Sequence, residues 1–335
     1  MSWRRFVSVL KARDREFLRD KSALLWNILF PLLIILGFGF AFSGDKLDEY
    51  KVGVIQQAND PQLAFFVTDY IQFIPISVTE QASAINKVKR HQLDLLLNAQ
   101  QKRYWINDSS PAGYLLEKVL AGTGGNEYQK QPVHGKQIRY VDWLIPGVLG
   151  MNMMFSALFG VGYVVVRYRK NGVLKRLKAT PLSALEFLTA QIVSRLWLIM
   201  TITTVVYIGC NALIGFAMIG SYLNLFLVYL LGAISMISMS MIVAARVKSE
   251  EMAGGMLNLL SWPMMFLSGV WFSLEGLHPW VQKLALVFPL THITQAARGI
   301  MLDGAGFMVI WPNLAVLFVM SIIFLLLGVL MFRWE

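Results

Sequence analysis

Long stretches without a charged residue dominate the hydrophobic and polar pattern of this chain. Five stretches contain no Asp, Glu, Lys or Arg: residues 22–44, 143–166, 196–245, 252–274 and 311–332. Because about 20 apolar residues cross a bilayer as a helix, the longest stretch can hold two crossings. Gly215 and Gly220 mark the division. The pattern predicts a polytopic α-helical membrane protein with six transmembrane helices, the first over residues 22–43 and the others within 141–335.

The N-terminal segment, residues 1–21, has helical periodicity of another kind. Trp3, Phe6, Val7 and Leu10 have the spacing of one helix face, and basic residues lie between them. This pattern is typical of an amphipathic helix in the membrane interface, with basic side chains at the lipid headgroups. A basic segment that only fixes the topology is the alternative. We predict a cytoplasmic interfacial amphipathic helix here.

Residues 277–300, before the last predicted span, contain an uncharged run that is too short to cross a membrane. The run covers residues 284–297, and a length of 14 residues is typical of re-entrant or interfacial segments. Pro279 and Pro289 each suit the first turn of a helix. We therefore predict two short re-entrant helices before the last span.

Residues 44–140 have the pattern of a small folded domain. It predicts strands over residues 50–56, 93–98 and 103–106. It predicts helices over residues 61–71, 80–89 and 112–120. Residues 131–135, Gln-Pro-Val-His-Gly, are typical of a connection back to the membrane. Because strands alternate with helices, we predict a small α/β domain with a parallel or mixed sheet, outside the cytoplasm and between spans 1 and 2.

The composition excludes a water-soluble enzyme and a disordered chain. The sequence is 56% hydrophobic and 15% charged, whereas soluble domains are about one quarter charged. A soluble protein of 335 residues needs more charge than this to cover its surface. A disordered chain needs low hydrophobicity, which this sequence does not have.

The net charge of +10 is concentrated beside the predicted spans. Residues 1–21 hold seven basic groups against three acids, and residues 167–178 hold six basic groups and no acid. Because basic short loops stay in the cytoplasm, both termini are expected there and residues 44–140 are expected outside. The charge therefore encodes topology and does not form a nucleic-acid-binding face.

Catalytic and metal-binding motifs are missing from the sequence. The four histidines share no ligand spacing, and there is no G-x-S-x-G motif. Residues 39–46 resemble a phosphate-binding loop only in their glycines, because Asp45 occupies the position of the essential lysine. We predict no catalytic residue, no metal site and no cofactor bound by this chain.

Two groups of charged residues lie near membrane depth, where ionisable side chains mark pathways or pair with one another. Arg195 follows Glu186 by nine residues at the start of the third span. It is a candidate for a pathway or an interhelical ion pair, or it extends to the interface by snorkelling. Glu275, Arg298 and Asp303 surround the predicted re-entrant segment. They either pair and fix its helices or are solvated charges at its rim.

The loop of residues 167–183, RYRKNGVLKRLKATPLS, has more pattern than topology requires. It predicts a short basic helix with Leu174 and Leu177 on one side, ended by Thr180 and Pro181. The basic residues alone satisfy the topology rule. An apolar stripe on a helix outside the membrane suits the groove of a soluble partner, so we predict a docking helix.

The segment GVLKRLKATPLS resembles the coupling helix of permeases in the type-2 (ABC-2) family of ATP-binding-cassette exporters. The stretch PMMFLSGVWF at residues 263–272, Leu-His-Pro-Trp at 277–280 and Phe-Pro at 288–289 are similar to the same family. The predicted topology agrees with it. A large domain between the first two spans resembles the bacterial drug-efflux subgroup. The resemblance covers essentially the whole chain.

The resemblance implies a division of labour within an exporter of the bacterial inner membrane. Two permease chains, identical or related, would form the pathway, and two copies of a cognate ATP-binding subunit would bind ATP and Mg²⁺ in the cytoplasm. This chain would be a transport subunit and not an enzyme. The resemblance places these residues in the ATPase contact: Gly172, Leu174, Lys175, Leu177, Thr180 and Pro181. Lys170 and Lys175 stand where many members have acidic residues, which predicts an acidic groove on the partner.

We predict a permease that moves a lipophilic substrate out of the cytoplasm or the inner leaflet. The alternative is an ATPase-linked protein that transmits mechanical work to periplasmic partners through residues 44–140 without transport. A lipid-modifying enzyme would need paired carboxylates, a histidine cluster or a nucleophile motif in the membrane. An ion channel would need a regular polar stripe on a span. The sequence has neither set of features.

Overall fold

The computed structural model of the chain describes residues 3–41, 50–55, 65, 70–135, 138–247, 249–274 and 277–332. The chain forms two compact units. The first, called the helical unit, comprises Met1–Phe42 and Tyr140–Glu335, and the second, called the mixed unit, is Ser43–Arg139. Tyr140, which the sequence pattern assigns to the outer domain, therefore belongs to the helical unit.

Helices dominate the described residues. In chain order they are α1 (Trp3–Arg19), α2 (Lys21–Ala41), α3 (Gln81–Lys89), α4 (Pro111–Gly122), α5 (Tyr140–Ala157), α6 (Val164–Lys170), α7 (Val173–Lys178), α8 (Ala184–Ile214), α9 (Tyr222–Arg246), α10 (Glu250–Leu267), α11 (Pro279–Ala285), α12 (Pro289–Asp303) and α13 (Phe307–Met331). A π-helical segment, Leu158–Tyr163, joins α5 to α6. Short 3-10 helices cover Val78–Glu80 and Gly125–Glu127. The strands are β1 (Tyr50–Ile55), β2 (Ile71–Ile76), β3 (Leu95–Asn98), β4 (Arg103–Asn107) and β5 (Gln129–Val133).

Five helices of the described chain are long and apolar enough to cross a membrane: α2, the run Tyr140–Lys170, α8 over Glu186–Ile214, α9 and α13. The molecule is therefore a polytopic membrane protein. The predicted span over residues 252–274 is wrong at its end, because α10 stops at Leu267 and is not one of the five. Gly269 has φ +70, a left-handed conformation that an α-helix does not contain. A sixth crossing stays a prediction.

Two short helices precede α13, where the prolines of residues 277–300 predict them. Pro279 and Pro289 each lie in the first turn of their helix. The seven-residue α11 is mostly exposed, whereas α12 buries most of its residues. Their re-entrant placement in a bilayer stays a prediction.

The core of the helical unit is built around the run Tyr140–Lys170, α9 and α12. Of the 18 consecutive residues that make up the most apolar part of the run Tyr140–Lys170, 78% are buried. The corresponding share is 11% in α2 and 22% in α13. Gly232 of α9 allows close packing on α12, because a Cβ at this position would lie 2.5 Å from Ile293 Cδ1. The helices α2 and α13 thus leave apolar surface for lipid or for another membrane chain.

The π-helical segment interrupts the second predicted span, and the sequence pattern does not reveal it. Its two glycines make close approaches. A Cβ on Gly162 would lie 3.1 Å from the carbonyl oxygen of Ser240, and a Cβ on Gly160 would lie 2.1 Å from Arg195 Cζ. Because π turns inside α-helices occur frequently at functional sites, the surroundings of this segment are a candidate functional site.

The mixed unit contains one five-stranded sheet in the order β2-β1-β3-β4-β5. β1 is parallel to both β2 and β3, β3 and β4 are antiparallel, and β4 and β5 are parallel. Apolar side chains of β1, β3 and β4 form its core with the helices α3 and α4. The described residues of this unit thus form a mixed sheet with helices. The position of this unit outside the cytoplasm stays a prediction.

The two edge strands of this sheet are absent from the sequence prediction. β5 includes residues of the predicted connection 131–135, which is therefore wrong in part, and β2 was not predicted. Both strands contain a proline, Pro75 in β2 and Pro132 in β5, and proline is tolerated only at sheet edges or bulges. The predicted helix over 61–71 lies largely outside the described residues.

Candidate functional site

The predicted docking loop folds as a tight turn followed by the short helix α7. Gly172 has φ +70 at the turn and caps α7, and its amide donates to the carbonyl of Arg169 at 3.1 Å. After α7, Ser183 and Glu186 form a capping box that starts α8. The loop is thus held in a defined shape between two membrane helices.

We expect Gly172→Ala to destabilise this turn. An alanine at φ +70 is disfavoured by about 1 kcal/mol, which should lower the unfolding temperature of the purified chain by about 2–4 °C. Gly172→Asn should lower it less, because asparagine tolerates this conformation better. Gly254→Ala is the matched control, since Gly254 lies inside α10 with open space around its Cβ position and should be neutral or stabilising. An unfolding temperature unchanged by Gly172→Ala would show that the turn does not need this conformation.

The two sides of α7 differ in exposure. Leu174 is fully buried in the core of the helical unit, and Leu177 packs against that core. The family resemblance implies that Leu174 contacts an ATPase. This expectation is corrected here, because the buried side chain of Leu174 offers no surface to a partner. The residues that do face outward are Lys175, Arg176, Lys178, Thr180 and Pro181. The apolar stripe packs α7 against the membrane helices, and the basic side of α7 faces outward.

Arg169 connects the docking loop to the end of α9. Its Nη1 donates to the carbonyls of Ala244 at 2.8 Å and Val247 at 2.5 Å, and its Nη2 donates to Ala245 at 3.2 Å. These carbonyls belong to the last turn of α9 and the residue after it, where intrahelical donors are missing. Arg169 was counted in the sequence only as a topology charge.

The start of α10 is joined to the same region. Lys170 Nζ lies 3.5 Å from a carboxylate oxygen of Glu250 and 3.6 Å from one of Glu251. The hydroxyl of Tyr163 donates to Glu250 at 2.7 Å. Together with Arg169, these contacts tie α6 and the end of the π-helical segment to both helices that meet at residues 247–250.

The N-terminal helix α1 is fastened to the bundle by polar contacts that the sequence pattern did not identify. Asp14 accepts from the hydroxyl of Ser194 at 2.5 Å and from Trp197 Nε1 at 3.1 Å, both on α8. Arg13 is buried and donates to the carbonyl of Gly160 at 2.7 Å. The predicted apolar stripe is buried at Phe6, whereas Trp3 is exposed. The placement of α1 in a membrane interface stays a prediction.

Glu16 is the acidic centre of this contact. It accepts from Arg13 at 2.9 Å, from Arg167 at 3.1 Å and from the hydroxyl of Tyr168. Burial by itself would raise the pKa of Glu16, but the Tyr168 hydrogen bond and the charges of Arg13 and Arg167 outweigh it. The pKa therefore lies below its usual value and Glu16 is a carboxylate at neutral pH.

Among the described residues, Arg195 is neither part of an interhelical ion pair nor a snorkelling residue. It is 5% exposed, and its Nε and Nη2 donate at 2.8 Å to the carbonyl and the hydroxyl of Ser156. Its guanidinium lies 4.7 Å from the ring centre of Phe17. Glu186 is instead used in the capping box of α8. Within the described residues, no carboxylate lies within 4 Å of Arg195.

A cavity of about 400 Å³ lies beside Arg195, between α1, α2, the α5–α6 run and α8. Its charged lining residues are Arg13, Glu16, Asp20, Arg167 and Arg195. Its aromatic lining residues include Phe155 and Phe159, whose rings stack with centres 6.1 Å apart. A pocket with apolar walls and a few charged groups has the character of a site for a small amphiphilic molecule.

Arg298 holds α12 in place through backbone carbonyls. It donates to Trp143 at 3.0 Å, to Gly269 at 2.5 Å and to Val270 at 3.3 Å, and its guanidinium lies 3.4 Å from the ring centre of Trp143. The interpretation of Arg298 as a solvated rim charge is therefore wrong. Of the other two charges predicted around this segment, Asp303 is exposed and Glu275 lies outside the described residues.

The described part of the chain contains no group of three or more His, Cys, Asp or Glu side chains that could hold a metal ion. Two histidines have structural hydrogen bonds instead. His292 contacts Asn313 at 3.0 Å and the carbonyl of Leu286 at 2.9 Å, and His91 contacts the carbonyl of Gly135 at 3.3 Å.

The fold and the loop together define a class of molecule, a polytopic membrane protein with a basic helix presented outside its helical bundle. The particular family follows from sequence comparison. The chain belongs to the ABC-2 family of transporter proteins, whose family model matches residues 21–330.

Relatives in this family are similar to the chain at low identity. "Probable multidrug ABC transporter permease YbhS" of Escherichia coli (strain K12) is 21% identical to this chain. The matched region covers 99% of this chain and 95% of the length of that protein. "Inner membrane transport permease YhhJ" of the same strain is 26% identical over 54% of this chain and 49% of its own. "Probable multidrug ABC transporter permease YbhR", also from that strain, is 23% identical over 68% of this chain and 64% of its own.

Proposed function

We propose that the chain is the membrane permease subunit of an ATP-binding-cassette exporter that moves a lipophilic substrate out of the cytoplasm or the inner leaflet. ATP and Mg²⁺ bind to a separate ATPase subunit, present in two copies, and this chain binds no cofactor. A second permease chain, identical or related, completes the pathway. The observation that carries this proposal is the outward basic side of α7 on a helix whose apolar side is fixed in the bundle. The names of the relatives support it.

The orientation belongs to the same proposal. The basic loop and α1 are close together in the helical unit, since Arg167 pairs with Glu16 and Arg5 donates to the carbonyl of Pro181. The positive-inside rule puts this end in the cytoplasm of a bacterial cell, with the protein in the inner membrane. Both chain termini are then cytoplasmic, and the mixed unit is periplasmic.

The contacts around α7 suggest how movement of an ATPase would reach the membrane helices. A partner that displaces α7 acts directly on α6, because only a short turn separates them. Arg169 then carries the displacement to the end of α9, and Lys170 carries it to the start of α10. Charged hydrogen bonds of this kind are stronger than neutral ones and suit a mechanical connection.

The docking surface is tested by reversing its charge. We expect the double variant Lys175→Glu, Arg176→Glu to weaken binding of the cognate ATPase about tenfold or more, because the predicted acidic groove then meets like charge. Binding is measured with purified permease and ATPase at low and at high salt. Stimulated ATP hydrolysis in proteoliposomes should fall in parallel.

Arg15→Glu is the control for charge reversal outside α7, since Arg15 is an exposed base of α1. It should leave ATPase binding near the wild-type level. An acid-to-lysine change in the ATPase groove should restore binding of the double variant. Equal binding of the double variant and the wild type would contradict the docking assignment.

Mechanical transmission to periplasmic partners without transport is the second candidate function. It is favoured by the mixed unit, whose own hydrophobic core makes it a separate compact body. The two functions share the docking step and differ in outcome. ATP-dependent accumulation of a lipophilic dye in inverted vesicles supports export, and ATP hydrolysis without accumulation of any tested lipophilic compound supports transmission.

A further inference from the structure

The cavity beside the π-helical segment contains more positive charge than its own residues neutralise. Glu16 is shared by Arg13 and Arg167. Asp20 lies at the exposed rim, where its carboxylate accepts from the amide of Ala23 at 3.0 Å. Arg195 has only neutral partners in the described chain. Since a buried cation is costly unless it is paired, this arrangement favours the entry of an anion.

Arg195 has one donor nitrogen, Nη1, that its hydrogen bonds within the described chain do not use. Its Nε and Nη2 are fixed by Ser156, and its Nη1 has no hydrogen-bond partner among the described residues. The guanidinium of Arg195 also packs on the face of the Phe17 ring. Arg13, 7% exposed, faces the same cavity with its position fixed by Gly160. Two oriented guanidinium groups that line the same cavity are a preferred arrangement for binding phosphate oxygens.

The rest of the cavity suits the apolar part of a ligand. Phe155 and Phe159 line the cavity with their rings, and the small residues Ala23 and Gly160 leave space in it. Any side chain at Gly160 would collide with Arg195, so this glycine maintains the site. The volume of about 400 Å³ accommodates a phosphate-bearing head group and the first part of a chain, but not a whole lipid.

We propose that this cavity is a binding site for an anionic amphiphile, with its phosphate on Arg195 and Arg13 and the beginning of its apolar tail on Phe155 and Phe159. The site lies where α1 meets the first, second and third predicted spans. Occupation would join α1, the π-helical segment and α8 through one ligand. The proposal does not depend on the docking of an ATPase and can be tested on the full chain alone.

The test uses the purified full chain in nanodiscs of phosphatidylcholine to which phosphatidylglycerol is added. Phosphatidylglycerol retained after delipidation is counted by native mass spectrometry. We expect the wild type to retain it and Arg195→Gln to bind it about tenfold more weakly, because one charged hydrogen bond is lost. Arg15→Gln, the same charge change on the exposed side of α1, should retain it like the wild type.

Two further variants separate binding from folding. Arg195→Lys keeps the charge and should retain part of the lipid. Ala23→Trp keeps both guanidinium groups but fills the cavity, so it should lose the lipid; this variant decides the question if Arg195→Gln does not fold. A second arm adds inorganic phosphate alone. Retained lipid that inorganic phosphate does not displace supports the amphiphile.

Three results would overturn the proposal. The first is displacement of the retained lipid by inorganic phosphate, which would assign the site to a free anion. The second is equal retention by the wild type and Ala23→Trp. The third is equal loss in Arg15→Gln and Arg195→Gln, which would assign lipid retention to general surface charge.

Discussion

Leu174→Asp should abolish stimulation of the partner ATPase and at the same time destabilise the permease chain. The side chain of Leu174 is fully buried in the core of the helical unit, so the variant removes apolar packing and introduces a carboxylate without a partner. We expect a loss of about 4 kcal/mol or more in the free energy of unfolding of the loop region. Because α7 is only six residues long, it has few other contacts that would keep it in place.

Two variants make this result specific. Leu174→Met conserves volume and should change stability by less than about 1.5 kcal/mol, with stimulation retained. Lys175→Asp, at the neighbouring exposed position, should reduce stimulation while leaving the unfolding temperature near that of the wild type. The measurements are thermal unfolding of the purified chain and ATP hydrolysis by the reconstituted complex. If Leu174→Asp were as stable as the wild type and lost only ATPase binding, Leu174 would be a contact residue after all.

This pair of residues shows how far the sequence could predict the docking loop. The spacing of Leu174 and Leu177 correctly indicated a short helix with one apolar side. It could not say whether that side faces a partner or the chain itself, because both need the same stripe. The membrane bundle supplies an apolar surface next to the loop, and burial there is favourable without any partner.

The membrane helices were predicted where charge-free runs and length coincide. α10 departs from the prediction because a count of charges does not include the conformation of Gly269, which ends the helical region early. In the mixed unit, the central strands β1, β3 and β4 were predicted from their apolar runs. The edge strands β2 and β5 were not, since their prolines and half-exposed pattern resemble a loop.

The polar contacts of α1 and the cavity could not be predicted from one sequence. Arg13 lies among other basic residues of residues 1–21 and is distinguished only by its partners Gly160 and Tyr168, which are far away in the chain. The acids Asp14 and Glu16 in a basic segment were the available signal. The topology rule counts Lys and Arg and gives acids no part, so acids in this segment suggest a specific role in pairing.

Arg169→Ala should separate ATPase binding from its effect on the membrane helices. Arg169 does not belong to the outward basic side of α7, so binding of the ATPase should stay within about twofold of the wild type. Its three hydrogen bonds to Ala244, Ala245 and Val247 are the direct connection to the end of α9. Loss of these charged hydrogen bonds should reduce substrate-stimulated ATP hydrolysis about tenfold.

The controls for this variant use its neighbours in the same loop. Arg176→Ala should weaken ATPase binding, because Arg176 is exposed on α7 and is not part of the Arg169 contact. Arg169→Lys should recover only part of the stimulation, because an ammonium group cannot reach three carbonyls with the geometry of a guanidinium. Binding is measured with the purified subunits and stimulation in proteoliposomes. If Arg169→Ala were stimulated like the wild type, the movement of α7 would reach the membrane through Lys170 and Glu250 or through the packing of Leu174, and Arg169 would only cap α9.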